Sequence, residues 1–273
     1  MYQLVDVTTI EAGQAVEIWD QICGAIERYR RIFLFLDFDG TLSEIVETPS
    51  AAEIDCEALA ALKRLAGDRT VTVTVLSGRS CADVAARVGL PLIYGGDHGL
   101  EIHAPDIEFV APGAESVRPL LPAECNRVRQ AIRHIPGAFV ETKRLSASVH
   151  FRQVAPGHIP ALKDIVLRTV DASHFEVRTG NCVLELRPRV KWNKGDAVRW
   201  ILERYRAVAE QAICIGDDDT DEDMFRSVPE AVNIRVLNGA LATTAAQYCI
   251  TRPEVSCFLH GVLEVIHGMA ASA

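Results

Sequence analysis

Residues 31–43 read RIFLFLDFDGTLS, an unbroken apolar run from Ile32 to Leu36 that ends in Asp37-Phe38-Asp39-Gly40-Thr41. A short continuous apolar run of this kind marks a strand buried on both faces, as in a parallel sheet covered by helices. In open α/β sheets ligands bind at the carboxyl ends of the strands. Carboxylates at i and i+2 leave a strand on the same side, so Asp37 and Asp39 are placed to face one substrate and one hard cation. Gly40 frees the backbone to turn, and Thr41 offers a hydroxyl and an N–H to an anion. A lone Asp-x-Asp would read as a solvated acidic turn; the whole pentapeptide after an apolar strand points to a site.

Three further stretches follow strands in the same way. Gly216-Asp217-Asp218-Asp219-Thr220-Asp221-Glu222 comes directly after the apolar run AICIG. So much like charge in one loop is costly without a cation, and Mg2+, which takes oxygen ligands and keeps exchangeable waters, suits it. An EF-hand does not fit, because its sixth position is Glu222 rather than Gly and its twelfth is Val228 rather than Glu. Asp219 or Thr220 also suits a helix N-cap. Leu76-Ser77-Gly78-Arg79 ends the β-branched run TVTVTVL and presents a hydroxyl and backbone N–H groups to a phosphate. Lys191-Trp192-Asn193-Lys194-Gly195-Asp196 precedes a helical pattern, where a lysine would neutralise a transferring phosphoryl group. Each of the last two is ordinary alone; both lysines are candidates.

The pattern around these motifs alternates strand and helix. Helices are expected at 14–30, 55–66 (with Asp55 as N-cap) and from about Ser80, with strands at 70–76 and at LIY before a turn at Gly95-Gly96. From Pro105 to Pro188 the character changes to paired strands and helices, the mark of a mostly antiparallel sheet with helices on one face. After Pro188 the parallel pattern resumes through a helix at 195–206, the strand QAICIG, the strand AVNIRV and a C-terminal helix around 254–267. The expected organisation is a Rossmann-like parallel-sheet core, 1–104 and 189–273, interrupted by an α+β insert, 105–188.

With 49% apolar residues the chain can bury a proper core, and its formal net charge of −9 argues against nucleic acid as a partner. An anionic substrate must then be attracted by a local cluster of cations, since the global field opposes it. The longest strongly apolar run is too short to span a bilayer, and the N-terminus lacks the basic and apolar regions of a signal peptide. Eight cysteines without a Cys-x-x-Cys pair read as free thiols in a reducing cytoplasm. No signature of oligomeric state is present.

Taken in order, the Asp37 pentapeptide, Ser77, the Lys194 stretch and the acidic loop resemble the haloacid dehalogenase-like superfamily of phosphotransferases, over nearly the whole core. The resemblance implies that Asp37 attacks phosphorus to form an aspartyl-phosphate, and that Asp39 protonates the leaving oxygen and then activates water. It implies that Ser77 and Lys194 hold phosphoryl oxygens; Lys194-Gly195 matches the family's Lys-Gly pattern better than Lys191 does. Mg2+ would be bound by Asp37, the Asp39 carbonyl, Asp217 and Asp221, the last directly or through water. The second Asp, which the superfamily's phosphatases keep, argues for a phosphoester with a poor leaving group. The insert between Ser77 and Lys194 lies where the superfamily carries a substrate-selecting cap domain.

Asp97-His98-Gly99-Leu100-Glu101, ETKRLSASVHFR from Glu141, ELRPRVKWNKG from Glu185 and GDDDTDEDMF complete a set that looks like the trehalose-6-phosphate phosphatases, over roughly residues 33–226. By that likeness Glu141, Lys143 and Glu185 contact the sugar of trehalose 6-phosphate, a small-molecule substrate. Thr41, Arg79, His98 and Arg187 join them as candidate substrate contacts. Carboxylates and cations suit sugar hydroxyls, since a carboxylate accepts from two and a Lys or Arg donates to others. Other readings stay open here: a solvated strand face for Glu141 and Lys143, a Glu185–Arg187 pair, and a turn role for His98. At the level of function, a phosphatase of sucrose-, glucosylglycerol- or mannosylglycerate-phosphate type and a catalytically silent phosphosugar-binding regulator are the alternatives.

Overall fold

A computed structural model of the chain describes residues 12–46, 48–180, 182–239 and 243–272. The N-terminal residues 1–11, part of the stretch read above for a signal peptide, lie outside them. The chain divides into two compact units, one of residues 1–108 with 193–273, the other Phe109–Trp192.

The first unit is built on a mostly parallel sheet. Its strands are β1 (Ile32–Leu36), β2 (Val71–Leu76), β3 (Ile93–Gly96), β4 (Glu101–Ala104), β5 (Ile107–Val110), β10 (Ala212–Gly216), β11 (Val232–Leu237) and β12 (Tyr248–Thr251). They lie in the order β12-β11-β10-β1-β2-β3-β4-β5. Every pair from β12 to β3 is parallel, and β4 runs antiparallel to β3. β1 sits centrally, with Phe33 opposite Ala212 on one side and Thr72 on the other.

The apolar run at 32–36 is fully buried because both of its faces are covered. Ile32, Leu34 and Leu36 join a core with residues of α1 (Ala12–Tyr29), α2 (Cys56–Ala66) and α9 (Arg252–Ser272), where Trp19 stacks on Phe258 at 5.2 Å. On the other face Phe33 lies 5.6 Å from the ring of Tyr205, at the end of α7 (Lys194–Arg204). Short helices α3 (Cys81–Val88) and α8 (Glu222–Ser227) follow β2 and β10. Asp55 caps α2, accepting from the Glu57 and Ala58 amides as its sequence position predicts.

Two features depart from the sequence reading. Gly95-Gly96, expected as a turn, ends strand β3, and the chain reverses at Asp97–Gly99 instead. The glycines are needed for close approach: a Cβ at Gly95 would overlap the Leu76 side chain and one at Gly96 the Cys81 amide. The sequence pattern does not mark the strands β4 and β12. Four residues carry too little periodicity, and each is defined by its neighbour, as Tyr248 is by Ile234.

The second unit holds α4 (Ala114–Val117), α5 (Leu121–Ile132), β6 (Phe139–Thr142), β7 (Ala147–His150), α6 (Ile159–Thr169), β8 (Phe175–Gly180) and β9 (Val183–Pro188). Its four strands form an antiparallel sheet in the order β6-β7-β9-β8. Val149, Leu184 and Leu186 pack with Cys125, Val128, Leu162 and Val166 of α5 and α6. The strand period then sends Glu141, Ser148, Glu185 and Arg178, which are opposite one another across the sheet, to the other face. Among the described residues no helix is long and apolar enough to cross a membrane.

The start of α7 is fixed by a reciprocal cap. Asn193 Oδ1 accepts from the Asp196 amide at 3.0 Å, and Asp196 Oδ2 accepts from the Asn193 amide at 2.9 Å. Asn193→Ala removes one half of this box and is expected to lower unfolding stability by about 1 kcal/mol, read from the urea midpoint; an unchanged midpoint would mean that packing alone sets this helix end.

Candidate active site

Asp37 directly follows β1, and its amide still donates to Ile215 O at 2.9 Å, so the ladder carries it to the sheet edge. The next residue, Phe38, is buried in the core and anchors the loop; its carbonyl accepts from the Thr41, Leu42 and Ser43 amides. Gly40 takes φ +85°, and a Cβ there would overlap the Asp217 carboxylate. The pentapeptide is thus folded tightly enough to bring the loop after β10 against it.

Lys194 is the hub. Its side chain is 2% exposed, and its Nζ donates to Asp37 Oδ1 at 2.6 Å and to Asp221 Oδ1 at 2.7 Å. Asp221 Oδ2 accepts from the amides of Asp217 and Asp218, at 2.9 and 3.1 Å. Carboxylate oxygens of Asp37, Asp217 and Asp221 lie within 4.8 Å of one another. Asp217 Oδ1 is buried without a hydrogen-bond partner. Burial raises the Asp37 carboxyl well above the usual range, despite the pull of Lys194. It also raises Asp217 to about 7, with help from the Asp221 and Asp218 charges, and Asp221 to about 6, against the pull of Lys194. Lys194 is itself raised well above its ordinary value, because Asp221 and Asp37 outweigh the cost of its burial. Such a cluster has more negative charge than its one ammonium balances.

Around it stand the other expected residues. Ser77 is fully buried at the end of β2, and its Oγ accepts from the Arg79 amide at 3.1 Å. Thr41 Oγ1 is buried with no hydrogen-bond partner. Arg79 holds both oxygens of Asp39 at 2.7 Å, Asp83 Oδ2 at 2.8 Å and the Pro49 carbonyl at 2.9 Å, with Phe38 beneath it. Four of its five N–H donors are thereby engaged within the protein. His98 occupies the space a side chain at Gly78 would fill, and Asp97, His98 and Gly99 all adopt positive φ, of 50°, 60° and 87°. The His98 amide donates to Ser77 O, so this turn buttresses the serine loop. Glu101 closes the same loop by accepting from the Cys81 amide at 2.8 Å, at the start of α3.

In the second unit Glu141 and Glu185 share one sheet face, as the strand period requires. Glu185 pairs with Arg187, both side chains largely enclosed. Glu141 Oε2 lies 2.7 Å from His150 Nε2, and the His150 ring stacks on Phe139 at 4.6 Å. The Lys143 amide continues the β6–β7 pairing to Ser146 O. His150 and Arg178 on this face were not singled out from sequence. Nor were Arg235 and Asn238, which brace the acidic loop: their only signal is position, at and just after the carboxyl end of a parallel strand.

The trehalose-phosphatase family profile matches residues 35–247, a span that holds every one of these residues. The chain belongs to the trehalose-phosphatase family. It is 40% identical over 228 residues to the trehalose-phosphate phosphatase of Mycobacterium marinum, covering 81% of this chain and 58% of that protein. The chain therefore spans less than two thirds of that relative. The solved structure of Aspergillus fumigatus trehalose-6-phosphate phosphatase (crystal form 3) superposes with a TM-score of 0.61 at 26% identity, over 92% of this chain and 97% of that one. The crystal structure of a trehalose-6-phosphate phosphatase related protein gives 0.76 at 22% identity over 87% and 99%, a likeness of fold. This trehalose-phosphatase family member accordingly keeps the family's fold, a mixed α/β architecture with a mostly parallel central sheet.

Among the described residues Lys194 alone bridges Asp37 and Asp221, and Lys194→Met is expected to cost about 3–5 kcal/mol of stability. Urea unfolding in EDTA at neutral pH measures it; stability equal to the parent's would mean that the two acids are already uncharged there.

Proposed function

We propose that this protein hydrolyses trehalose 6-phosphate to trehalose and inorganic phosphate, with Asp37 as the covalent nucleophile and Mg2+ as cofactor. The observation that carries the chemistry is the buried arrangement at the end of β1: Asp37 held by Lys194, with Asp217 and Asp221 beside it. Family membership and the 40% identical relative support the substrate.

The residues fit a hard divalent cation. Three carboxylates offer oxygens close together, one of those oxygens is buried and orphaned, and burial has pushed the acids toward protonation for want of positive charge. Asp37 and Asp217 would hold Mg2+, with the Asp39 carbonyl. Asp221, whose oxygens are engaged by Lys194 and two amides, would act by orienting the loop or through water. When bound, Mg2+ keeps the carboxylates ionised and offsets charge on the phosphoryl oxygens.

In the first step an Asp37 carboxylate oxygen attacks phosphorus and the bond from phosphorus to the sugar oxygen breaks. The sugar oxygen takes a proton from Asp39, which makes a poor alkoxide leaving group a neutral alcohol. In the second step Asp39 takes a proton from water, the water oxygen attacks phosphorus, and the Asp37 carboxylate is released with phosphate. Lys194, Ser77 and Thr41 hold phosphoryl oxygens; the buried, unpartnered Thr41 hydroxyl is suited to an acceptor brought by a ligand. Arg79 contributes by holding Asp39, with four of its five N–H donors engaged by Asp39, Asp83 and the Pro49 carbonyl. His98 serves the site by supporting the Ser77 loop.

The Phe109–Trp192 unit supplies sugar selectivity in this proposal. Glu141, Lys143, Glu185 and Arg187 give the polar sheet face acceptors and donors for hydroxyls, and the enclosed Glu185–Arg187 pair penalises a ligand that lacks the matching group.

The test is phosphate release from trehalose 6-phosphate, sucrose 6-phosphate, glucose 6-phosphate and an aryl phosphate, each with Mg2+ and with excess EDTA. Trehalose 6-phosphate is expected to be preferred, activity is expected to vanish in EDTA, and Asp37→Asn is expected to lower turnover by about 10⁴-fold or more. Preference for another sugar would refute the substrate, and undiminished Asp37→Asn activity would refute the nucleophile. Glu141→Gln and Glu185→Gln each weaken a charge-assisted hydrogen bond, so kcat/KM for trehalose 6-phosphate should fall about 10- to 100-fold. The same variants should leave aryl phosphate hydrolysis at the parent rate; an equal loss on both substrates would move these residues from sugar recognition to the fold.

A further inference from the structure

Asn238, the residue after β11, joins the two loops on which the proposed cation site depends. Its Nδ2 donates to the Gly40 carbonyl at 2.8 Å and to Asp217 Oδ2 at 2.9 Å. The Gly40 carbonyl is an acceptor only, so the amide has one workable orientation, with its NH2 group pointing at it. Gly40 and Asp217 are also in close contact through the space a Gly40 side chain would need. Asn238 therefore fastens the pentapeptide loop to the acidic loop at the point where they meet.

The two oxygens of Asp217 end up in different states. Oδ2 is taken by Asn238, while Oδ1 is buried without a partner. The carboxylate cannot rotate about its terminal bond to exchange them without breaking the Asn238 contact. Asn238 thereby holds the plane of the carboxylate, with one oxygen left to present, and reduces the rotational freedom it would otherwise lose on binding an ion. Arg235, three residues earlier, acts on the same loop from the other side: its Nη1 donates to Asp218 O at 2.8 Å and to Glu222 Oε1 at 3.0 Å. The carboxyl end of β11 thus clamps the loop at Asp217, Asp218 and Glu222.

We propose that Asn238 is a positioning residue for the divalent cation, acting through Asp217. The proposal rests on the Mg2+ reading above. Residues that hydrogen-bond a metal's ligands typically change metal affinity by about 10- to 100-fold when removed. Asn238 is itself exposed, so truncating it opens no cavity, and its effect should fall on the ion rather than on the fold.

Isothermal titration calorimetry of the full chain with MgCl2, without substrate, tests this, using the parent, Asn238→Ala and Asp217→Asn, with each protein's unfolding midpoint measured in EDTA. The expected result is a Mg2+ dissociation constant about 10- to 100-fold weaker for Asn238→Ala, at an unchanged midpoint in EDTA. An Asn238→Ala constant equal to the parent's overturns the proposal while leaving the Mg2+ reading intact. A weaker constant accompanied by a lowered midpoint makes Asn238 a residue of the fold and overturns it too. A parent that shows no Mg2+ binding sensitive to Asp217→Asn overturns the cation reading and the proposal with it.

Discussion

The ammonium of Lys194 lies between two carboxylates in a place almost closed to water, and the rest of the site is arranged around that contact. Asp37 is 157 residues away in sequence and Asp221 is 27. One buried cation thus ties the end of β1, the start of α7 and the loop after β10 into a single cluster. Taking these charges out of water is costly, and mutual attraction repays it only where the remaining hydrogen-bond capacity is satisfied. For Asp221 it is, through Lys194 and two backbone amides. For Asp217 it is half satisfied, through Asn238, and that shortfall is what supports the cation proposed there.

The same site holds other features that a structure built for stability alone would avoid. Three consecutive residues at Asp97–Gly99 adopt positive φ, two of them with side chains, and both side chains are buried. Such conformations cost on the order of 1–3 kcal/mol each and persist only where the surroundings over-determine them. Here the surroundings are the Ser77 loop, which accepts the His98 amide, and Gly78, whose missing side chain makes room for the imidazole. A parallel sheet with both faces covered supplies the excess burial that tolerates this strain.

The central strand and the motifs on it were legible because burial on two faces leaves a continuous apolar run, and because strand ends are where charge must collect. β1, β2 and β10 were readable for that reason, as were Asp37, Lys194 and the acidic loop. What escaped was set by partners distant in sequence. Gly95-Gly96 looks like a turn until the Leu76 side chain and the Cys81 amide are placed beside it. β12 exists only against β11. Asn238 has no local signature, since an Asn-Gly pair after a strand reads as a loop; its role arises from where Gly40 and Asp217 come to lie. Arg79 stands out in the sequence as a candidate substrate contact, but its partners do not, because Asp39 and Asp83 meet it only in the fold.

The Arg79–Asp39 contact bears directly on the proposed chemistry. The fork takes both carboxylate oxygens as acceptors, so a proton on either oxygen breaks one of the two bonds. To carry a proton, whether one bound for the departing sugar or one taken from water, the carboxyl must therefore leave the fork. Two observations make that departure inexpensive. Asp39 is well exposed, its side chain 41% accessible, so it regains water when it swings out. Arg79 is not stranded when it does, because Asp83, the Pro49 carbonyl and the Phe38 ring remain on it. A guanidinium with redundant partners can release one without the penalty of an unpaired buried charge, and that redundancy would allow a single carboxyl group to serve both halves of the proposed reaction.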